Sequence, residues 1–71
     1  MKLTVIGCGD AFGSGGRLQT SFHVALGGEA FLVDCGASVL IGCARQRVDP
    51  NGVSTILITH LHGDHFGGLV W

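Results

Sequence analysis

The stretch Thr59-His60-Leu61-His62-Gly63-Asp64-His65-Phe66-Gly67-Gly68 places three of the chain's four histidines and an aspartate within six consecutive positions. Imidazole and carboxylate are the ligand types that hold zinc, and they also suit iron and manganese. The spacing selects the backbone. On a helix, His60 and His62 would point roughly 200° apart and could not share an ion. On an extended segment, positions two apart face the same side and both rings converge. Gly63 then lets the chain turn sharply, so that Asp64 and His65 leave in a second direction. The hexapeptide thus offers two ligand pairs, His60 with His62 and Asp64 with His65. Two adjacent ions, each taking one pair, use that arrangement more naturally than one ion taking all four. The plainer alternative is a solvated histidine-rich loop that binds metal adventitiously. Against it stand the apolar run Ile56-Leu57-Ile58 before the cluster and the glycines after it.

Working upstream, Val53 to Ile58 reads as a buried strand that delivers His60 at its C-terminal end, where α/β sheets place their chemistry. Asp49-Pro50-Asn51-Gly52 stops the element before it, because the residue preceding proline is pushed out of α and Asn-Gly favours a turn. That element is an amphipathic helix. Leu40, Cys43, Ala44, Arg47 and Val48 follow its period, and Ser38 stands at the N-cap position. Before it, Ser21 to Leu26 alternates, with Phe22, Val24 and Leu26 on one face and Ser21, His23 and Ala25 on the other. Gly27-Gly28 is a two-residue hairpin signal, and Ala30 to Val33 is the return strand. His23 lies opposite the large apolar side chains and reads as a sheet-face residue outside the site. Leu3 to Ile6 is apolar on consecutive positions, as in a strand buried on both faces. The order β-β-β-α-β is an α/β layered unit.

Gly7-Cys8-Gly9-Asp10-Ala11-Phe12-Gly13-Ser14-Gly15-Gly16-Arg17 invites a nucleotide reading, which fails. A dinucleotide fingerprint needs glycines at 7, 9 and 12, but position 12 is Phe, and no Gly-Lys-Ser/Thr follows. A tight loop whose backbone amides meet an anion remains open. Arg17 is a candidate contact for a substrate phosphate, with a solvated arginine as the bland alternative. Asp34-Cys35-Gly36 ends the third strand, where an aspartate is ordinarily a turn or cap residue.

Bulk properties narrow the function. Seventy-one residues allow one domain at most. The net charge is −1, with Lys2, Arg17, Arg45 and Arg47 as the fixed cations, so the segment has no basic footprint of its own for nucleic acid. Three cysteines at no metal-like spacing suggest reduced thiols and a cytoplasmic protein. No run approaches the ~20 apolar residues of a membrane span, so no membrane partner is expected.

His60-Leu61-His62-Gly63-Asp64-His65 resembles the His-x-His-x-Asp-His motif of metallo-β-lactamase-fold hydrolases. Together with Gly7-Cys8-Gly9-Asp10 and Val33-Asp34-Cys35-Gly36, it is similar to the ribonuclease Z branch of tRNA 3′-processing enzymes and related phosphodiesterases. The resemblance implies the first part of an αββα sandwich. It implies two Zn2+ ions, with Mn2+ or Fe2+ as alternatives, and no nucleotide cofactor. By position, His60 and His62 would hold the first ion and Asp64 and His65 the second. Asp64 would also orient the attacking water and act as general base, and Asp34 would support the ligand loop from the outer shell. The remaining family ligands, a further histidine for each ion and a bridging aspartate, are absent from these residues. The chain is therefore expected to be the N-terminal portion of one longer domain, truncated at its C-terminal end and inactive alone. A phosphodiester is the expected substrate, with RNA a candidate; the substrate-binding residues and oligomeric state are unassigned. Two alternatives stand beside this reading: an acyl hydrolase of the same fold, acting on thioesters or lactams, and a non-catalytic metal-binding or structural fragment.

Overall fold

The computed structural model describes all 71 residues. Four strands and one full helix succeed one another as β1 (Lys2–Gly7), β2 (Ser21–Leu26), β3 (Glu29–Val33), α1 (Val39–Gln46) and β4 (Thr55–Leu57), followed by a one-turn helix, α2 (Gly63–Phe66). They form one sheet in the order β1-β2-β3-β4. The first three strands are antiparallel, and β4 joins β3 in parallel. A parallel neighbour needs a crossover, and α1 supplies it. Gly27 and Gly28 both have positive φ, 59° and 85°, which the tight turn between two twisted strands requires.

The register sorts the side chains. Thr4, His23, Leu32 and Ile56 lie abreast on one face, and Val5, Phe22, Val33 and Leu57 on the other. The alternation expected for β2 is present, but α1 packs on the face that carries His23 and Thr4. There Ile6, Leu32, Cys35, Val39 and Cys43 form the core, with Val48, Val53 and Ile58 against it. The face with the larger apolar side chains is open, leaving Leu3 61% and Val5 46% exposed. The expectation that β1 is buried on both faces is therefore corrected. It is an edge strand with one covered face.

Two more expectations need correction. The buried stripe of α1 is Val39, Gly42 and Cys43, whereas Leu40, Ala44 and Arg47 face solvent. The helix is rotated because Gly42 lies directly on Ile6, where any Cβ would collide with the strand. Ser38 stands before the helix without capping it; its hydroxyl instead accepts the Gln19 N–H at 2.9 Å. Likewise β4 is three exposed residues, not a buried strand over 53–58. It pairs on one side only, and Leu57, 52% exposed, points to the open face. Val53 and Ile58, just outside the strand, make the core contacts instead. No helix is long and apolar enough to cross a membrane.

Candidate metal centre

The histidine segment leaves β4 without helical turns. His62 is extended (φ −75°, ψ 139°) and immediately precedes α2. Neither His60 nor His62 lies within a helix, as their spacing requires. Asp64 and His65 sit inside α2, which begins at Gly63; the His65 N–H bonds the His62 carbonyl at 2.9 Å to close the turn. The three imidazoles form one cluster centred on His60. Its ring centroid is 4.7 Å from that of His62 and 4.0 Å from that of His65. Nε2 of His65 faces Oδ2 of Asp64 at 3.3 Å.

Asp34 lies beneath this cluster, 3% exposed. Its Oδ1 accepts the Thr59 N–H at 2.7 Å and its Oδ2 bonds Nδ1 of His65 at 2.7 Å. The Thr59 hydroxyl lies 3.0 and 2.8 Å from the two carboxylate oxygens and 3.0 Å from Nδ1 of His60. Backbone bonds complete the clamp. The Cys35 N–H donates to the His65 carbonyl at 2.7 Å, and the Gly68 N–H donates to the Cys35 carbonyl at 2.9 Å. Gly36 makes this approach feasible, since a Cβ there would stand 2.5 Å from Gln19 Cβ and 2.6 Å from the Asp64 carbonyl.

Burial would raise the Asp34 carboxyl, but the Thr59 amide, His65 and the Thr59 hydroxyl together hold it below its ordinary value of 3.8. A group depressed in this way stabilises the fold fully above its unfolded value, and that contribution is lost as pH falls through the lower folded value. The Thr59 amide is therefore expected to resist hydrogen exchange at pH ~4.5 and to open only in stronger acid. Loss of protection already at that pH would contradict the geometry.

Other candidates fall away. Cys8 is exposed, and Cys35 and Cys43 are buried free thiols. Burial raises both of the latter, with Cys43 adding to the effect on Cys35, which keeps them protonated and poor ligands. His23 lies on β2 between Thr4 and Leu32. In the glycine loop, the Ser14 hydroxyl and amide and the Phe12 amide all bond the Asp10 carboxylate and lower its pKa. The amides of Gly13, Gly16 and Arg17 bond carbonyls of the same loop. These donors are spent within the loop. Arg17 and Phe12 border an open hollow beside it.

No three His, Cys, Asp or Glu side chains converge on one point. The chain offers pairs of candidate ligand groups, not a closed cage. Sequence reasoning missed Thr59, although it adjoins the first histidine, and missed Gln19, which bonds Ser38 through its N–H and the Ala37 amide through its side chain. Their signal is indirect. A buried carboxylate at position 34 demands donors, and a hydroxyl next to a histidine is a ready one.

Comparison with known proteins adds four findings. The family model of the anti-Pycsar protein Apyc1 matches residues 1–71. The chain is 44% identical over 69 residues to a ribonuclease Z of Mycobacterium avium, covering 97% of the chain and 25% of that protein. In structure it resembles human tRNase Z, short form (TM-score 0.87, 36% identity, 97% of this chain and 27% of that one). It also resembles the metallo-β-lactamase-fold protein YhfI of Bacillus subtilis (TM-score 0.80, 28% identity, 96% of this chain and 27% of that one). The four-stranded α/β unit is thus part of a metallo-β-lactamase fold, and the chain spans about a quarter of the length of the relatives it matches.

Proposed function

The chain belongs to the family of the anti-Pycsar protein Apyc1, and from that premise we propose that it is the N-terminal portion of a metal-dependent hydrolase of ribonuclease Z type that cuts phosphodiesters. The observation that carries the reading is the cluster of His60, His62, Asp64 and His65 over a buried Asp34, in a chain similar to a ribonuclease Z over 97% of its length.

The donor set fits divalent ions. Two ligand atoms bound at ~2.0 Å to a tetrahedral ion stand ~3.3 Å apart, the separation found between Nε2 of His65 and Oδ2 of Asp64. In this reading His60 and His62 serve one ion and Asp64 and His65 the other, with Zn2+ the first choice and Mn2+ or Fe2+ the alternatives. Bound ions would supply a water that ionises near neutral pH and a clamp for phosphoryl oxygens. In this reading the Asp64 carboxylate would orient that water and accept its proton. Asp34 keeps its charge under the cluster and fixes the His65 ring. RNA is the substrate favoured by the likeness, and its phosphates would be met by basic surface outside these residues.

In the natural protein, hydrolysis of bis(p-nitrophenyl) phosphate and of a tRNA precursor should vanish on chelation and return with zinc or manganese. Hydrolysis that survives chelation would overturn the reading. The 71 residues by themselves, with two ligands for each ion against the three or more of working zinc sites, should bind zinc weakly; a tight stoichiometric titration would contradict this division. Asp34→Asn keeps a residue that tolerates positive φ while removing the charge, and should weaken metal binding ~10–100-fold without unfolding the chain. Unchanged affinity in a zinc competition assay would remove Asp34 from the site.

A further inference from the structure

We propose that Thr59 is a positioning residue that fixes the tautomer of His60 and, through their shared bond to Asp34, aligns His60 with His65 so that both rings present a bare Nε2. The inference rests on the reading of these histidines as metal ligands, but it comes from a count of protons.

Asp34 as a carboxylate can only accept. Three donors face it: the Thr59 N–H, the Thr59 hydroxyl and Nδ1 of His65. Nδ1 of His65 must therefore carry a proton. The Thr59 hydroxyl has a single proton and two claimants, Asp34 at 2.8 and 3.0 Å and Nδ1 of His60 at 3.0 Å. A hydrogen bond to a charged acceptor is roughly twice as strong as a neutral one, so the carboxylate takes the proton. What Thr59 turns to His60 is then a lone pair, and Nδ1 of His60 must donate to it. A neutral imidazole with its proton on Nδ1 has its lone pair on Nε2, the form that binds a metal. One carboxylate and one hydroxyl thereby set the same tautomer on one histidine from each ligand pair.

A partner hydrogen-bonded to a ligand's second nitrogen is worth ~10–100-fold in metal affinity, and Thr59 is expected to fall in that range. The test is nitrogen NMR of the imidazoles in the metal-free natural protein at pH ~8.5, above the histidine reference value of ~6.5. Wild type should show both His60 and His65 protonated on Nδ1. In Thr59→Val, His60 should lose that preference while His65 keeps it, because Asp34 still accepts from His65. Thr59→Ser should restore His60. The His65 signal reports whether the variant is folded, and the wild-type spectrum alone decides if the valine variant is not. His60 protonated on Nε2 in wild type, or unchanged in a folded Thr59→Val, overturns the inference. Zinc competition gives a second readout: Thr59→Val should bind ~10–100-fold more weakly and Thr59→Ser near wild type, and equal affinities for all three overturn it. Wild-type protein with the expected tautomers and no zinc binding would support the Thr59 assignment while sinking the proposed function.

Discussion

Gly68→Ala is expected to destabilise the chain severely. Gly68 is buried where the turn after α2 passes over the loop at the end of β3, and its N–H is tied to the Cys35 carbonyl at 2.9 Å. A Cβ there would overlap the Gly36 carbonyl and stand 2.9 Å from Val39 Cγ1 and 3.1 Å from the Cys35 carbonyl. Two of the three obstacles are backbone, so no rotamer change relieves them. Overpacking of this kind costs ~1–3 kcal/mol and occasionally more. A core of this size rarely supplies more than ~3–5 kcal/mol, so the substitution takes most of the margin. Circular dichroism during a urea titration reads the outcome, with Gly52→Ala as control, since a Cβ there meets nothing. A Gly68→Ala midpoint equal to the control's would mean that the turn is not docked as described.

His62→Ala should do the reverse, leaving the fold and removing the proposed hydrolysis. The side chain of His62 is exposed and packs edge-to-face with His60, so truncation should change stability by no more than ~0.5 kcal/mol. As a proposed direct ligand it should matter more than the ~10–100-fold of a supporting partner. Phosphodiester hydrolysis by the natural protein is expected to fall by on the order of 10³-fold, with less metal retained per chain after dialysis. Full hydrolysis by a His62→Ala protein would exclude His62 from the mechanism.

The element order could be read from the sequence because its signals are local: alternation in β2, Gly27-Gly28 between strands, and Asp49-Pro50-Asn51-Gly52 after the helix. What packs on what was not readable by the same means. Alternation shows that a sheet has two different faces, but not which one receives the helix, and here α1 lies on the face bearing His23 and Thr4. The phase of α1 was misjudged for a related reason. A hydrophobic period counts side chains, whereas α1 meets Ile6 of β1 at Gly42, which has none. The burial of β4 was overstated because an apolar run gives no measure of how many neighbours a strand has. At the site, spacing alone identified the imidazole and carboxylate cluster. The hydrogen bonds beneath it depend on Asp34 and Thr59 meeting across 25 positions of chain, and no local pattern records that meeting.

Asp34 carries two demands in one residue. Its backbone is left-handed, with φ 60°, a conformation accessible at little cost mainly to glycine, asparagine and aspartate. Its side chain must also bring negative charge to Thr59 and His65. Glycine and asparagine meet the first demand without the second, and glutamate the second without the first. Among the twenty amino acids only aspartate answers both, so drift at this codon has no neutral destination, and a homologue with another residue here would have had to rebuild the turn or the support beneath the histidines.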